Sequence, residues 1–339
     1  MNQEENKKNF ILAGDSGGTK TELALFKEQQ GRLEKITSQK YFNKDFSNLE
    51  DIIIAFLKNK NQNNNFQIDS ACIGIAGPVI NGKVKSTNLS WELDEKVLSE
   101  KFKIKNFRLA NDLEIIAAGV AKINEEDLIT LYKGKGEKKL NNKVIIAPGT
   151  GLGQAVLIYN KGQCNILSTE GGHTDFAPSD EIEIELLKYL KKKFSHVSCE
   201  RIASGLGMVN IFNFLREINY AQVSNEVLKR FETEDAAAVI SEEGLKKQDK
   251  TCEKVLDIFA SVLGAQSGNM VLNYKSTGGV YIGGKIPLLN IEKFKDGTFI
   301  KSYLNKGRLS YLVEAAPVYI IKNPSIGLIG AAMLSGIKD

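Results

Sequence analysis

Cysteine is scarce in this chain: four residues in 339, Cys72, Cys164, Cys199 and Cys252, lie far apart with no Cys-x-x-Cys pair. That spacing signals neither a disulfide framework nor a cysteine zinc site, and predicts reduced, mostly buried thiols. Histidine is scarcer still, with only His173 and His196, so no His-rich metal cluster is available. Neither sign of charge dominates. The 45 basic and 41 acidic side chains leave a net +4 spread along the chain, which makes no case for nucleic-acid binding. Long apolar runs are missing as well, none approaching the roughly 20 residues of a membrane-spanning helix. The polar start MNQEENKKNF, followed by the short apolar stretch Phe10 to Ala13, lacks the core of an export signal. These absences predict a cytoplasmic protein with neither a membrane nor a nucleic acid among its partners.

What is present suits a soluble protein of two domains, with 42% hydrophobic and 25% charged residues. Two segments share one pattern. Phe10 to Phe26 (FILAGDSGGTKTELALF) and Lys143 to Tyr159 (KVIIAPGTGLGQAVLIY) each set a Gly-rich turn between two β-rich runs, and each predicts a β-hairpin. Glycines there can take positive φ and leave backbone N–H groups unobstructed, as an anion site requires. Around the hairpins helix and strand alternate. Helices are predicted over Asn48 to Lys60, Asp94 to Phe102, Leu113 to Ala121, Asp180 to Phe194 and Glu253 to about Tyr274, and a buried strand over Asp69 to Ala76. A third Gly cluster, Gly278 to Gly284, sits in a strand-turn. Asn323-Pro324-Ser325 carries helix-start chemistry for a closing segment from Ile326 to Ile337. Asn61 to Asn65 and the basic stretch Lys133 to Asn142 read as solvated loops, the lysines being the weaker candidates for phosphate.

Phosphoryl transfer from ATP needs backbone donors around phosphates, an anchor for Mg²⁺ and a base at the attacking hydroxyl. Asp15 ends a buried strand just before Ser16-Gly17-Gly18-Thr19, where a carboxylate would repel phosphate unless a cation intervened; the alternative is a turn-capping Asp. Asn111-Asp112 stands at a strand-to-helix junction, the end of a strand at which α/β clefts open. Asp112 there is placed to act as general base, or else one of the pair is simply a helix N-cap. Glu170-Gly171-Gly172-His173 combines a carboxylate and an imidazole on a flexible turn, suited to vicinal sugar hydroxyls. Glu200 adds an acceptor, unless it forms a structural ion pair with Arg201.

Nine strings then occur in a recognisable order: GDSGGTK at Gly14, AGP at Ala76, TNLSW at Thr87, LANDL at Leu109, GTGLG at Gly149, EGGHTDFAP at Glu170, HVSCER at His196, GGVYIGG at Gly278 and the terminal NPSIGLIGAA. Over nearly the whole chain they resemble the bacterial glucokinases of the actin-like ATPase superfamily. The resemblance implies an α/β, two-domain actin-like (ribonuclease H-like) fold with an inter-domain cleft. Its small domain would comprise residues 1–111 with 323–339, and its large domain residues 112–322. It implies phosphorylation of glucose at the 6-hydroxyl by ATP, with Asn88, Asn111, Asp112, Glu170, His173 and Glu200 on the hexose and Asp112 as the base. Gly14, Asp15, Ser16, Gly17, Gly18 and Thr19, with Gly149, Thr150, Gly151 and Gly153, would hold the ATP phosphates. Asp15 would act on Mg²⁺ through water, Gly283 and Gly284 would lie near adenosine, and homodimers are usual. Lys20 stands where many members carry Asn, and Lys285 where a further Gly is common. A kinase for mannose or an N-acetylated amino sugar, and a catalytically silent sugar sensor, are the competing readings. A sugar-responsive repressor is disfavoured, because the chain has no Cys-rich zinc motif and no amino-terminal helix-turn-helix.

Overall fold

The computed structural model describes residues 9–29, 32–61, 67–85, 89, 91–136 and 141–336. The chain divides into two compact units, Met1–Asn124 with Asn323–Asp339, and Glu125–Lys322.

The first unit opens with β1 (Asn9–Ser16), β2 (Lys20–Gln29) and β3 (Arg32–Phe42), followed by α1 (Leu49–Asn61) and β4 (Ile68–Ile75). The short strands β5 (Val79–Ile80), β6 (Lys83–Lys85) and β7 (Glu92–Asp94) form a separate small sheet. Then come α2 (Glu95–Phe102), β8 (Asn106–Asn111) and α3 (Asp112–Ala121). The main sheet has the order β3-β2-β1-β4-β8, antiparallel through the hairpin and parallel from β1 to β8. One face is closed by α1, whose Leu49, Ile52, Ile53 and Phe56 pack with Leu12, Leu23, Leu25 and Ile73.

The second unit supplies β9 (Leu128–Tyr132), β10 (Lys143–Pro148), β11 (Leu152–Asn160) and β12 (Gln163–Thr169). Its helices are α4 (Glu181–Lys191), α5 (Gly205–Glu217), α6 (Asn225–Arg230), α7 (Ala236–Leu245) and α8 (Lys250–Tyr274). After β13 (Val280–Ile282) follow α9 (Lys285–Leu289), α10 (Ile291–Lys295), α11 (Thr298–Leu304), α12 (Ser310–Ala315) and β14 (Val318–Ile321). Its sheet runs β12-β11-β10-β13-β14-β9. Apart from the added edge strand β9, this repeats the first sheet: an antiparallel hairpin, a third antiparallel strand, then two parallel strands. The repeated Gly-rich pattern in the sequence is thus a repeated topology.

By length and composition α8 could cross a membrane, contrary to the expectation that no run approaches that length. However, 67% of its most apolar stretch is buried inside the protein, with Val255, Leu256, Phe259 and Leu263 in the second unit's core. Cys72, Cys199 and Cys252 are buried, Cys164 is exposed, and all four are free. Of the expected loops, residues 62–65 and 137–140 lie outside the described residues. Lys135 of the basic stretch pairs with Glu314 at 2.8 Å.

The chain returns to the first unit as α13 (Ile326–Leu334). Its start differs from expectation: Asn323 Oδ1 accepts the Ser325 N–H (2.8 Å), while the Ser325 hydroxyl accepts from Lys35 and caps nothing. Helices α3 and α13 meet at glycines. A Cβ on Gly330 would stand 1.7 Å from the Ile115 carbonyl oxygen, and one on Gly119 would stand 2.4 Å from that of Ile326. Close backbone approach of this kind explains the glycines scattered through a helical segment.

Candidate functional site

In the first unit the parallel strands end together, Ser16 beside Ile75 and Ile75 beside Asn111. At that edge Asp15 is pushed up to about 7, first by burial and then by the carboxylates of Asp112 and Glu22, with Lys40 opposing. Lys40 itself pairs with Glu22 at 3.3 Å. A Cβ at Gly327 would stand 3.0 Å from Asp15 Oδ2, so the carboxylate faces the start of α13. Burial and the two like charges disfavour ionised Asp15, and among the described residues no group of three or more His, Cys, Asp or Glu side chains is close enough to hold a metal ion.

The Asn111-Asp112 junction holds a structural role and a candidate chemical one side by side. Asn111 is the N-cap of α3, its Oδ1 accepting from Leu113 N (2.9 Å) and its Nδ2 donating to the Gly77 carbonyl (3.0 Å). Glu114 completes a capping box and binds Arg108 at 2.9 Å. Asp112, next in the chain, receives a second bond from Leu113 N at 2.9 Å. Carboxylate density in the first turn of α3 is favoured by the helix dipole. Asn88 lies outside the described residues.

The turn at 16–19 is braced by side chains. Thr21 Oγ1 donates to Asn43 Oδ1 (2.8 Å) and receives the Ser16 hydroxyl (2.8 Å), while Asn43 Nδ2 donates to the Gly17 carbonyl (2.8 Å). Gly17 N donates to Lys20 O, and Asn43 N to Thr19 O, both at 3.0 Å. Lys20 lies over the Phe42 ring, 4.7 Å from its centroid. Gly14 is a strand residue whose missing side chain makes room for Ile73 and Leu23.

In the second unit the turn at 149–151 is braced differently. Gly149 N donates to Gly151 O, and Gly205 N, at the start of α5, donates to Gly149 O, each at 2.8 Å. Ser204 caps α5, its Oγ accepting from Gly207 N and donating to Glu200 O. Glu200 Oε2 accepts from Leu152 N at 2.9 Å, directly after the turn. Gly17, Gly149 and Gly151 do not take positive φ, contrary to expectation, and of the three only Gly151 supplies clearance. A Cβ on Gly151 would stand 2.5 Å from Glu200 Oε2, whereas one on Gly149 would meet nothing within 4 Å. Thr150 lies between them, and Gly153 is already in β11, opposite Ala147. Gly283 N donates to Ile146 O (2.9 Å), and Gly284, with φ 91°, passes close to the Pro148 carbonyl.

Glu200 also faces the other motif of this unit, its Oε1 4.0 Å from His173 Nδ1. Its neighbour Arg201 stacks on the Phe194 ring instead of pairing with it. The segments 170–176 and 196–200 are zipped together: Cys199 N donates to Thr174 O (2.9 Å), Phe176 N to Val197 O (3.0 Å), and His196 Nε2 to His173 O (2.9 Å). That pairing explains why EGGHTDF and HVSCER form one structure. Glu170 is exposed at the head of the turn, and Gly172 is buried where a side chain would strike the Leu152 carbonyl. Sequence reasoning missed Ser204, a local helix cap, and His196, Gly205 and Gly327, whose contacts are distant in the chain. The HVSCER string carried His196 and the terminal NPSIGLIGAA string carried Gly327.

Comparison with known proteins comes down on one family. A glucokinase family profile matches residues 12–336. A glucokinase of Nostoc punctiforme is 38% identical, covering 96% of this chain and 98% of its own, and one of Colwellia psychrerythraea is 35% identical, covering 95% and 94%. Among solved structures, glucokinase from an Antarctic psychrotroph superposes with a TM-score of 0.82 at 26% identity, covering 96% of this chain and 98% of its own. The fold is that of the actin-like sugar kinases.

Proposed function

We propose that this chain, which belongs to the glucokinase family and phosphorylates glucose with ATP, does so with Asp112 as its general base. The observation that carries the assignment is the placement of Asp112 at the carboxyl edge of the parallel strands, in electrostatic contact with Asp15. As the glucose 6-hydroxyl attacks the γ-phosphorus, its proton passes to the Asp112 carboxylate and ADP leaves. Mg²⁺ bound with ATP would neutralise phosphate charge, and Asp15 would hold it through water. Asn88, Asn111, Glu170, His173 and Glu200 take the remaining sugar hydroxyls. The turns at Gly14–Thr19 and Gly149–Gly153 take the phosphates, and Gly283-Gly284 the adenosine side. The resemblance also supports a cytoplasmic homodimer, which light scattering on the pure protein checks.

Asp112→Asn keeps the shape and loses the proton acceptor. Turnover in a coupled ATP and glucose assay should fall about 10²- to 10⁴-fold. Calorimetry should still detect glucose binding. Near-normal turnover would remove Asp112 from the mechanism, and a hexose panel assayed alongside sets the breadth of substrate use.

A further inference from the structure

Gln154 is the third residue of β11, opposite Thr169, where β12 ends beside the turn that carries Glu170 and His173. It is 3% exposed and lies between Leu152 and Val156, both members of the unit's apolar core. Its Oε1 lies against that turn: a Cβ on Gly171 would stand 2.3 Å away. Its Nε2 is buried and has no hydrogen-bond partner among the described residues. A buried, unpaired N–H group lowers stability, whereas an apolar side chain of the same length would fill the space without that cost. An amide kept at this place beneath a ligand turn calls for an acceptor that arrives with the ligand.

We infer that Gln154 is a positioning residue of the sugar turn, its Nε2 donating to a backbone carbonyl of residues 170–172 that swings into reach when Glu170 and His173 engage the hexose. The inference rests on assigning that turn to the sugar. A hydrogen bond of Nε2 that forms only with the sugar bound contributes to glucose affinity. ATP affinity is not involved, because the amide abuts Gly171, whereas the other turn's own main-chain bonds run between Gly149, Gly151 and Gly205.

The test pairs Gln154→Met, which keeps length and volume and removes the amide, with Glu170→Gln, which probes the turn itself. Gln154→Met should raise the glucose KM about 3- to 10-fold, the worth of one hydrogen bond, and leave the ATP KM unchanged. Its ligand-free melting temperature should match or exceed the parent's. If Glu170→Gln raises the glucose KM and Gln154→Met does not, the inference fails and the sugar assignment stands. If neither raises it, both fail. A loss of ligand-free stability in Gln154→Met, or misfolding of both it and Gln154→Leu, would make Gln154 a packing residue and overturn the proposal.

Discussion

The two Gly-rich hairpins occupy the same place in two copies of one topology, yet they are built from different materials. At the penultimate position of the first strand the first unit has Asp15, and the second has Ala147. The first turn is held by the hydroxyls and amide of Ser16, Thr21 and Asn43. The second is held by main chain, at Gly149, Gly151 and Gly205, with Glu200 behind it. A hairpin with a half-buried carboxylate can manage a cation and the charge around a reacting hydroxyl. The second turn has no carboxylate on its own strand end, and the one behind it, Glu200, accepts from Leu152 N. The repeated topology places a Gly-rich turn at the same point in each unit, and the residue at the strand end, Asp15 or Ala147, is one difference between them.

The contrast can be broken most severely at Gly151. Gly151→Val drives a side chain into Glu200, which accepts from Leu152 N and is the proposed sugar ligand, so kcat/KM for both substrates should fall about 10²-fold in steady-state assays. A change confined to glucose would uncouple Glu200 from the phosphate turn. On the other side, Thr21→Val removes the centre of a buried network and leaves Asn43 and Ser16 short of a partner. Urea unfolding should show a loss of about 1–3 kcal/mol, and the ATP KM should rise more than the glucose KM.

Asp15→Asn sharpens the comparison through pH. Because the folded-state pKa of Asp15 is raised from an ordinary 3.8 to about 7, the folded protein binds the proton more tightly than the unfolded chain. Stability contributed by protonated Asp15 is present below pH 3.8 and is lost as pH rises through 7. The Asn variant should therefore be more stable than the parent above pH 7, the difference shrinking as pH falls towards 4, while kinase activity drops. Equal melting curves at pH 8 would mean that the carboxylate is not held against its charge. The smallest effect is expected at Gly149→Ala, where a Cβ meets nothing. Its melting temperature should match the parent's, so any change in ATP KM would report phosphate approach alone.

Much of this was legible in the chain because it depends on local pattern. Alternating apolar residues around Gly-rich turns specify hairpins, and the predicted helices recur as α1, α2, α3, α4 and α8 with ends shifted by a few residues. Asn111 beside Asp112 announced a strand-to-helix junction, since Asn is a strong N-cap and its oxygen needs only the next turn's N–H. Sequence order alone also determined the family, through strings such as EGGHTDFAP and HVSCER. Tertiary structure decided which glycines are required for clearance, because that depends on what approaches them: Glu200 at Gly151, Asp15 at Gly327, the Ile115 carbonyl at Gly330. It decided that Asp15 carries a displaced pKa, which takes burial first and then the charges of Asp112 and Glu22, one of them 97 residues away in sequence. It decided, too, that Gln154 lies buried against Gly171 with an unspent donor, for burial and hydrogen-bond partners are properties of packed neighbours and no local spacing encodes them.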